Sequence, residues 1–506
     1  MKAIKKLALF ATASSVFFTP ISCLATSENS TVSSTCSNFV TPSGIKSQDI
    51  ESSVDKLMSK FINKNISGAQ VSVTKDGKEV FSKGYGLANR KTPIPVDTNT
   101  SFNYASVSKL FIWVSAMQLV EQGKLDLNKD IRTYLPKDYP LHITSKKPVT
   151  FLNLMNHNAG FEAFWKYYGG SGGSRDFSSL EEAVHKCYST IQCFKPGEFQ
   201  GYSNFGANLA ALIIEKISKT PYFEYVDKNI FKPCKMQTCY PEREPIKNVM
   251  KNKATGYRFN RGNFRLTSVY SGDWLYPSGS AVGTANDLSK FAKALMPEKS
   301  KKSPLFKSNK TLEEMFKISY TPTGKDLFSM HHGFWGPNGN YSGMGHTGCV
   351  DGMVSHFVIV PKERFSVAVL VNDENGWDVA YGVTSLLTGS EYNKSRIKFD
   401  KVNTKTLEGD YVHARTRFAN RARDFDLIHV KSLANGHDIE LKLNNNPQIY
   451  RQIEPYLFEN ITATHGIDYK SKIYFKVKNG SVEKIVTFKN DLIPISKLKK
   501  FRSKFN

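Results

Sequence analysis

Residues 110–120 read LFIWVSAMQLV, and only Ser115 and Gln118 among them are polar. A helix of that composition has no face left for solvent, so the rest of the chain must close around it. Lys109 stands at the head of this run, three residues after Ser106. An unpaired ammonium in an apolar interior is costly, and burial drives a lysine toward its neutral amine. Residues i and i+3 share a helix face, which brings the Ser106 hydroxyl within reach of the Lys109 nitrogen. A neutral amine takes the proton of such a hydroxyl and turns a weak serine into a nucleophile. Ser108 lies about 100° round the helix from Lys109 and is the poorer partner. The helix start also offers backbone N–H groups and a positive dipole end to a developing oxyanion. Alone, Ser-x-x-Lys is a weak signal, because a lysine can equally snorkel out to water.

The chain has 506 residues, 40% hydrophobic and 12% aromatic, enough to bury a large core in two domains. Lys2, Lys5 and Lys6 precede an apolar stretch at 7–21 and the pattern Cys23-Leu24-Ala25, which reads as a cleaved export signal over residues 1–25. Thr12, Ser14, Ser15, Thr19 and Pro20 interrupt that stretch and argue against a permanent span. A lipid anchor on Cys23 is the alternative, disfavoured by Pro20. No later run is long and apolar enough to cross a bilayer, so a soluble, periplasmic or secreted protein is expected. Export permits disulfides. Of the remaining cysteines, Cys36, Cys187, Cys193, Cys234, Cys239 and Cys349, the pairs 187/193 and 234/239 are near enough for small loops, with the pairing left open. Their spacing is not C-x-x-C and no histidine pair accompanies them, so neither a metal nor a cofactor is expected. The formal charge of +24 comes without a nucleic-acid motif. It reads as a solvated lysine-rich surface, with at most loose contact to anionic envelope polymers and no nucleic-acid partner.

Residues 26–45 are rich in Ser and Thr and read as a flexible leader. Helical spacing at 50–63 is followed by strand-like runs at 69–74 and 79–85 joined at Asp76-Gly77, a hairpin signal. Helical patterns dominate from about 120 to 275, for example 180–191 and 208–218. A further helix is expected at 285–295, capped by Thr284. Strand character returns at 344–348, 353–360 and 365–371. Early strands, a helical middle and late strands predict an α+β domain over 46–395, an antiparallel sheet with helices inserted between its halves. From 400 to 506 short alternating runs, punctuated by Asn435-Gly436 and Asn479-Gly480, predict a small all-β C-terminal domain.

Two further segments give the serine–lysine pair a context. GYSNFG presents Tyr202-Ser203-Asn204, and GMGHTGCVDG presents His346-Thr347-Gly348 on an expected strand. In the order S-x-x-K, Y-x-N, H-T-G, the chain resembles the serine β-lactamase and penicillin-binding protein superfamily, specifically its class C-like branch. That branch includes D-amino-acid peptidases, D-Ala-D-Ala carboxypeptidases and esterases. The segments VTFLNLMNHNAGFEAFW and GSAVGTANDLSKFAKAL are similar to the family's helices on either side of Y-x-N. The likeness covers 50 to about 380.

The resemblance implies that Ser106 is the acylated nucleophile and Lys109 its base. Tyr202 would be a phenol held near ionisation by Lys109, activating Ser106 and later the hydrolytic water. Asn204 would position the substrate amide. His346 stands where many relatives carry Lys, while Thr347 and Gly348 would line the substrate site. The backbone N–H groups of Ser106 and Cys349 would form the oxyanion hole. His157 is read as a structural hydrogen-bonder. Residues 169–173, GGSGG, match the nucleophile elbow G-x-S-x-G literally, but loop residues follow where a helix is required.

These features predict an exported serine hydrolase acting on a small amide or ester, with D-amino-acid peptides, peptidoglycan fragments or β-lactams as substrates. The competing expectation is a non-catalytic, penicillin-trapping protein of the same fold.

Overall fold

The computed structural model describes residues 38–162, 177–186, 190–267, 273–350, 352–390, 401–415, 427–443, 446–462 and 471–502. The export signal, Cys36, Cys187 and the GGSGG run lie outside them.

The strand Phe365–Val371, FSVAVLV, is apolar at nearly every position and buried on both sides, the signature of a strand sandwiched between two layers. Successive side chains serve different cores. Val367, Val369 and Val371 pack with the helices Ile50–Met58 and Trp377–Thr388, whereas Ala368 and Leu370 join the cluster around the 110–120 helix. The strand pairs antiparallel with Gly68–Lys75 on one side and Met353–Val360 on the other. Early and late segments therefore close one eight-stranded sheet, extended by Lys78–Asn89 and Ile94–Pro95 at one edge and by Met344–Val350, Phe334–Trp335 and Met330–His331 at the other. The α+β arrangement expected from the sequence is the one found.

At Asp76-Gly77 both residues have positive φ and Lys75 faces Lys78 across the turn. Asn479-Gly480 does the same between Lys478 and Ser481. Asn435-Gly436 differs, lying in a longer loop between Ser432 and Asp438, where the Asn435 side chain accepts from the backbone N–H of His437 and Asp438. Residues 38–45, assigned above to a flexible leader, instead form a turn with a Val40–Lys46 bridge, and Ser43 N–H donates to the Leu387 carbonyl.

The C-terminal strands close into an eight-stranded antiparallel barrel. Gly409–His413 pairs with both Ile428–Ser432 and Asp491–Pro494, which leaves no free edge. Its interior is a separate apolar cluster including Tyr411, Ile439, Phe458, Phe475 and Ile485. Against the first domain it shares a further cluster, in which Phe194 and Phe199 meet Val412 and Ile493. Among the described residues no helix is long and apolar enough to cross a membrane.

Candidate active site

The apolar run forms the helix Lys109–Glu121, buried from Lys109 to Leu119. Ser106 sits just before it, in the 3-10 turn Ala105–Ser108. Ala105 has φ of 47°, a left-handed conformation that costs a non-glycine residue of order 1 kcal/mol. The Asn103 side chain holds it by accepting from the Ala105 N–H at 2.6 Å.

Lys109 Nζ lies 3.0 Å from Ser106 Oγ and donates to the Ser278 carbonyl at 2.6 Å. Ser278 is in turn placed by Asn208, whose amide meets both its hydroxyl and its backbone N–H at 3.2 Å. Burial, together with the charges of Arg415 and Lys489, holds the Lys109 amine well below the usual lysine range. A neutral amine that donates to Ser278 keeps its lone pair for the Ser106 proton.

Tyr202 and Asn204 come from the turn that opens the helix Asn204–Ser218, capped by the Ser203 hydroxyl on Gly206 N–H. His157 shapes that turn: its Nδ1 accepts from Ser203 N–H at 3.2 Å and its carbonyl from Gly201 N–H at 2.8 Å. Its ring centroid lies 4.6 Å from that of Tyr202. The structural role expected for His157 is the one it has.

The surroundings of Tyr202 bear on its ionisation. Lys109 Nζ lies 5.0 Å from its ring, but a neutral amine does not stabilise a phenolate. Burial pushes the Tyr202 phenol up, opposed by the neighbouring Ser106 hydroxyl and Arg415. Although Ser106 acts on it electrostatically, the phenol completes no hydrogen bond of ordinary geometry. These surroundings favour the neutral phenol over the phenolate.

His346, Thr347 and Gly348 lie on the strand Met344–Val350, and all three are buried. At Gly348 an added Cβ would meet Ser355 Oγ at 2.4 Å, the Tyr104 carbonyl at 2.5 Å and Ala105 Cβ at 2.8 Å. Only glycine lets this strand approach the Ser106 turn so closely. Cys349 follows with its side chain exposed. His346 Nδ1 donates to the Thr347 carbonyl at 2.5 Å. Burial, with Lys109 and Lys489 nearby, holds the imidazole well below its usual pKa. The ring is thus neutral, with an unpartnered Nε2, and does not replace the cation that relatives carry there.

The cations instead come from the barrel. Lys489 Nζ donates to Thr347 Oγ1 and stands 5.7 Å from the Tyr202 ring. The Arg415 guanidinium lies 5.2 Å from the same ring. Neither residue was singled out by the sequence, nor were Ser278 and Asn208. Beyond the turn residues around Lys489 no local pattern marks them. Cys234 and Cys239 are both buried thiols rather than a disulfide, and burial pushes the Cys234 thiol up to about 12.

Residues 51–386 match the family model described as Beta-lactamase, and the chain belongs to that family. Protein flp of Staphylococcus aureus (strain N315) is 24% identical over 326 residues, 64% of this chain. The chain spans 63% of the length of that relative. Among solved structures, the octameric penicillin-binding protein homologue from Pyrococcus abyssi is similar over 88% of this chain and 99% of its own, at a TM-score of 0.58 and 22% identity. The D-amino acid amidase from Ochrobactrum anthropi SV3, complexed with L-phenylalanine amide, matches 67% of this chain and 96% of its own, at a TM-score of 0.54 and 22% identity. The fold is that of β-lactamases and penicillin-binding proteins.

Proposed function

We propose that the protein is an exported serine hydrolase that works through an acyl-enzyme on Ser106. Its substrate is a small amide or ester, with D-amino-acid-containing peptides the best fit. One observation carries this: Lys109 Nζ is 3.0 Å from Ser106 Oγ, anchored on the Ser278 carbonyl and kept neutral by its surroundings. Kinship with a fold that includes a D-amino acid amidase supports the substrate class.

In this mechanism the Ser106 proton passes to the Lys109 lone pair as Oγ attacks the substrate carbonyl. The backbone N–H groups of Ser106 and Cys349 receive the oxyanion. Neutral Tyr202 protonates the leaving group and is reprotonated by the Lys109 ammonium. Water then repeats the sequence on the acyl-enzyme, losing its proton through the same relay. Asn204 orients the substrate amide.

The test is labelling by a fluorophosphonate and a fluorescent penicillin, together with turnover of ester reporters and D-amino-acid amides, in wild type and Ser106→Ala. Wild-type labelling and turnover that the variant lacks support the reading. Stable wild-type labelling without turnover of any substrate favours a covalent trap. Absence of both labelling and turnover in the wild type overturns the hydrolase.

A further inference from the structure

We infer that the barrel rim facing the first domain is a binding site for a small, neutral, mostly apolar carbonyl compound. The inference does not rest on the hydrolase reading.

An eight-stranded barrel is wide enough inside to be filled by side chains or to hold one small ligand. Here side chains fill it only in part. A cavity of about 280 Å3 lies between the barrel core residues Ile428, Leu441 and Ile473 and the loop that carries Asn338 and Asn340. Ile428 begins its strand and Leu443, which faces it, ends the next. Ile473 and Leu492 sit near the starts of Lys472–Lys478 and Asp491–Pro494. The lining therefore comes from one rim of the barrel. An apolar cavity of about 150 Å3 holds benzene, so this one takes roughly ten non-hydrogen atoms.

The polar groups in the wall define what those atoms must include. The Tyr450 hydroxyl meets Ser471 Oγ at 3.3 Å, and Thr487 Oγ1 donates to the Asn490 carbonyl at 2.5 Å. Lys472 Nζ donates to the Gly339 carbonyl at 2.8 Å and pairs with Glu459 at 3.2 Å, so the site calls for no anion. Asn338 is different. It is 2% exposed, and its Oδ1 accepts the Asn340 N–H at 3.0 Å. Its Nδ2 has no partner among the described residues. Because Oδ1 is already accepting, turning the amide end for end would break that bond. A buried N–H group without an acceptor is costly, and a carbonyl oxygen on a ligand removes the cost.

The loop is fixed from both sides. Gly339 has φ of 84°, and a Cβ there would meet Lys472 Cδ at 2.3 Å, so the barrel lysine lies directly against it. Ser390 Oγ, just past the helix Trp377–Thr388, donates to the same Gly339 carbonyl. The remaining wall includes Thr487 and Phe488, from the turn 487–490 that joins Ser481–Val486 to Asp491–Pro494. The Phe488 ring lies 5.3 Å from that of Trp335. Ser106, Lys109, Tyr202 and Asn204 do not line the cavity, which makes this a second site.

The experiment titrates the full chain with acetophenone and with α-methylstyrene, which replaces the ketone oxygen by a methylene, using ligand-observed NMR. Both are expected to bind wild type with a Kd of about 1 mM or tighter, ordinary for molecules of this size. Asn338→Ala should weaken acetophenone about fivefold, the worth of one hydrogen bond, and leave α-methylstyrene unchanged. Leu443→Trp, which fills the rim, should abolish binding of both. A crystal soaked in 4'-bromoacetophenone locates the site by anomalous scattering, even where the tryptophan variant fails to fold. Bromine between Asn338 and Ile473 supports the inference. Bromine elsewhere only, or no saturable binding of acetophenone, overturns it. An equal loss of both probes in Asn338→Ala also overturns it, since the loop would then act only as a support.

Discussion

The side-chain oxygen of Asn490 accepts the backbone N–H of Tyr202 at 2.9 Å, so a residue of the barrel holds the phenol that faces Ser106. The hold is reinforced on either side. Gln200 N–H donates to Asp491 Oδ2 and Asp491 N–H to the Gln200 carbonyl, both at 2.8 Å. Asn490→Ala should therefore lower kcat on neutral esters by about 10- to 100-fold, the scale of a small misplacement near the chemistry. Asn490→Asp, which still accepts, should recover most of it. Steady-state kinetics on 4-nitrophenyl acetate check both.

Lys109 is expected to trade stability for activity. Its folded pKa lies below its unfolded value, so the unfolded chain binds more protons and stability rises with pH until the unfolded lysine titrates near 10.4. Lys109→Met should abolish turnover yet raise the melting temperature at pH 7 by a few degrees. Thermal unfolding of wild type and variant between pH 6 and 9, buffers chosen for the assay, reads the effect. A variant less stable than wild type at pH 7 would count against a buried neutral amine.

The same amine sets a pH limb. Arg415 and Lys489 both push it down, and removing either cation should let it rise. The acidic limb of kcat/KM on a neutral ester should thus move to higher pH in Lys489→Met.

Gly348→Ala should be damaging out of proportion to one methyl group. The backbone carbonyl of Tyr104, 2.5 Å from the added Cβ, cannot swing aside, so the strand must retreat from the Ser106 turn. We expect at least a 100-fold loss in fluorophosphonate labelling rate, with the far-ultraviolet dichroism of wild type retained.

Lys484 and Asp491 form a buried ion pair, their side chains 4% and 0% exposed. Breaking such a pair leaves one charge without compensation, at a cost of about 3–5 kcal/mol. Asp491→Asn should lower the urea midpoint accordingly and reduce turnover, because Asp491 also braces residue 200. The double variant Lys484→Met/Asp491→Leu should regain stability but not full turnover.

What the sequence made legible was local. Ser106 and Lys109 are one helical turn apart, and the hydrophobic run announces the burial that neutralises the lysine. The strands at 353–360 and 365–371 follow from their β-branched residues, and two Asn/Asp-Gly turns from their tolerance of positive φ. The ionisation of Tyr202 is not legible in the sequence, because it depends on whether Lys109 is charged, which burial decides. The partners Ser278 and Asn208, 70 residues apart, meet only in three dimensions. Lys489 was hidden by its own abundance, one among 69 basic residues that composition treats as a solvated coat. Lys109, Lys472 and Lys484 are buried and lie outside that coat.

The turn at 487–490 has a consequence for how such a chain can change. It reaches Thr347 and Tyr202 from a module with its own closed core. A side chain that meets Thr347 is thereby carried by a different core from the one that surrounds Lys109. Changes at the tip of a barrel hairpin can alter the surroundings of Thr347 while the serine, the lysine and the turn and helix that carry them stay as they are.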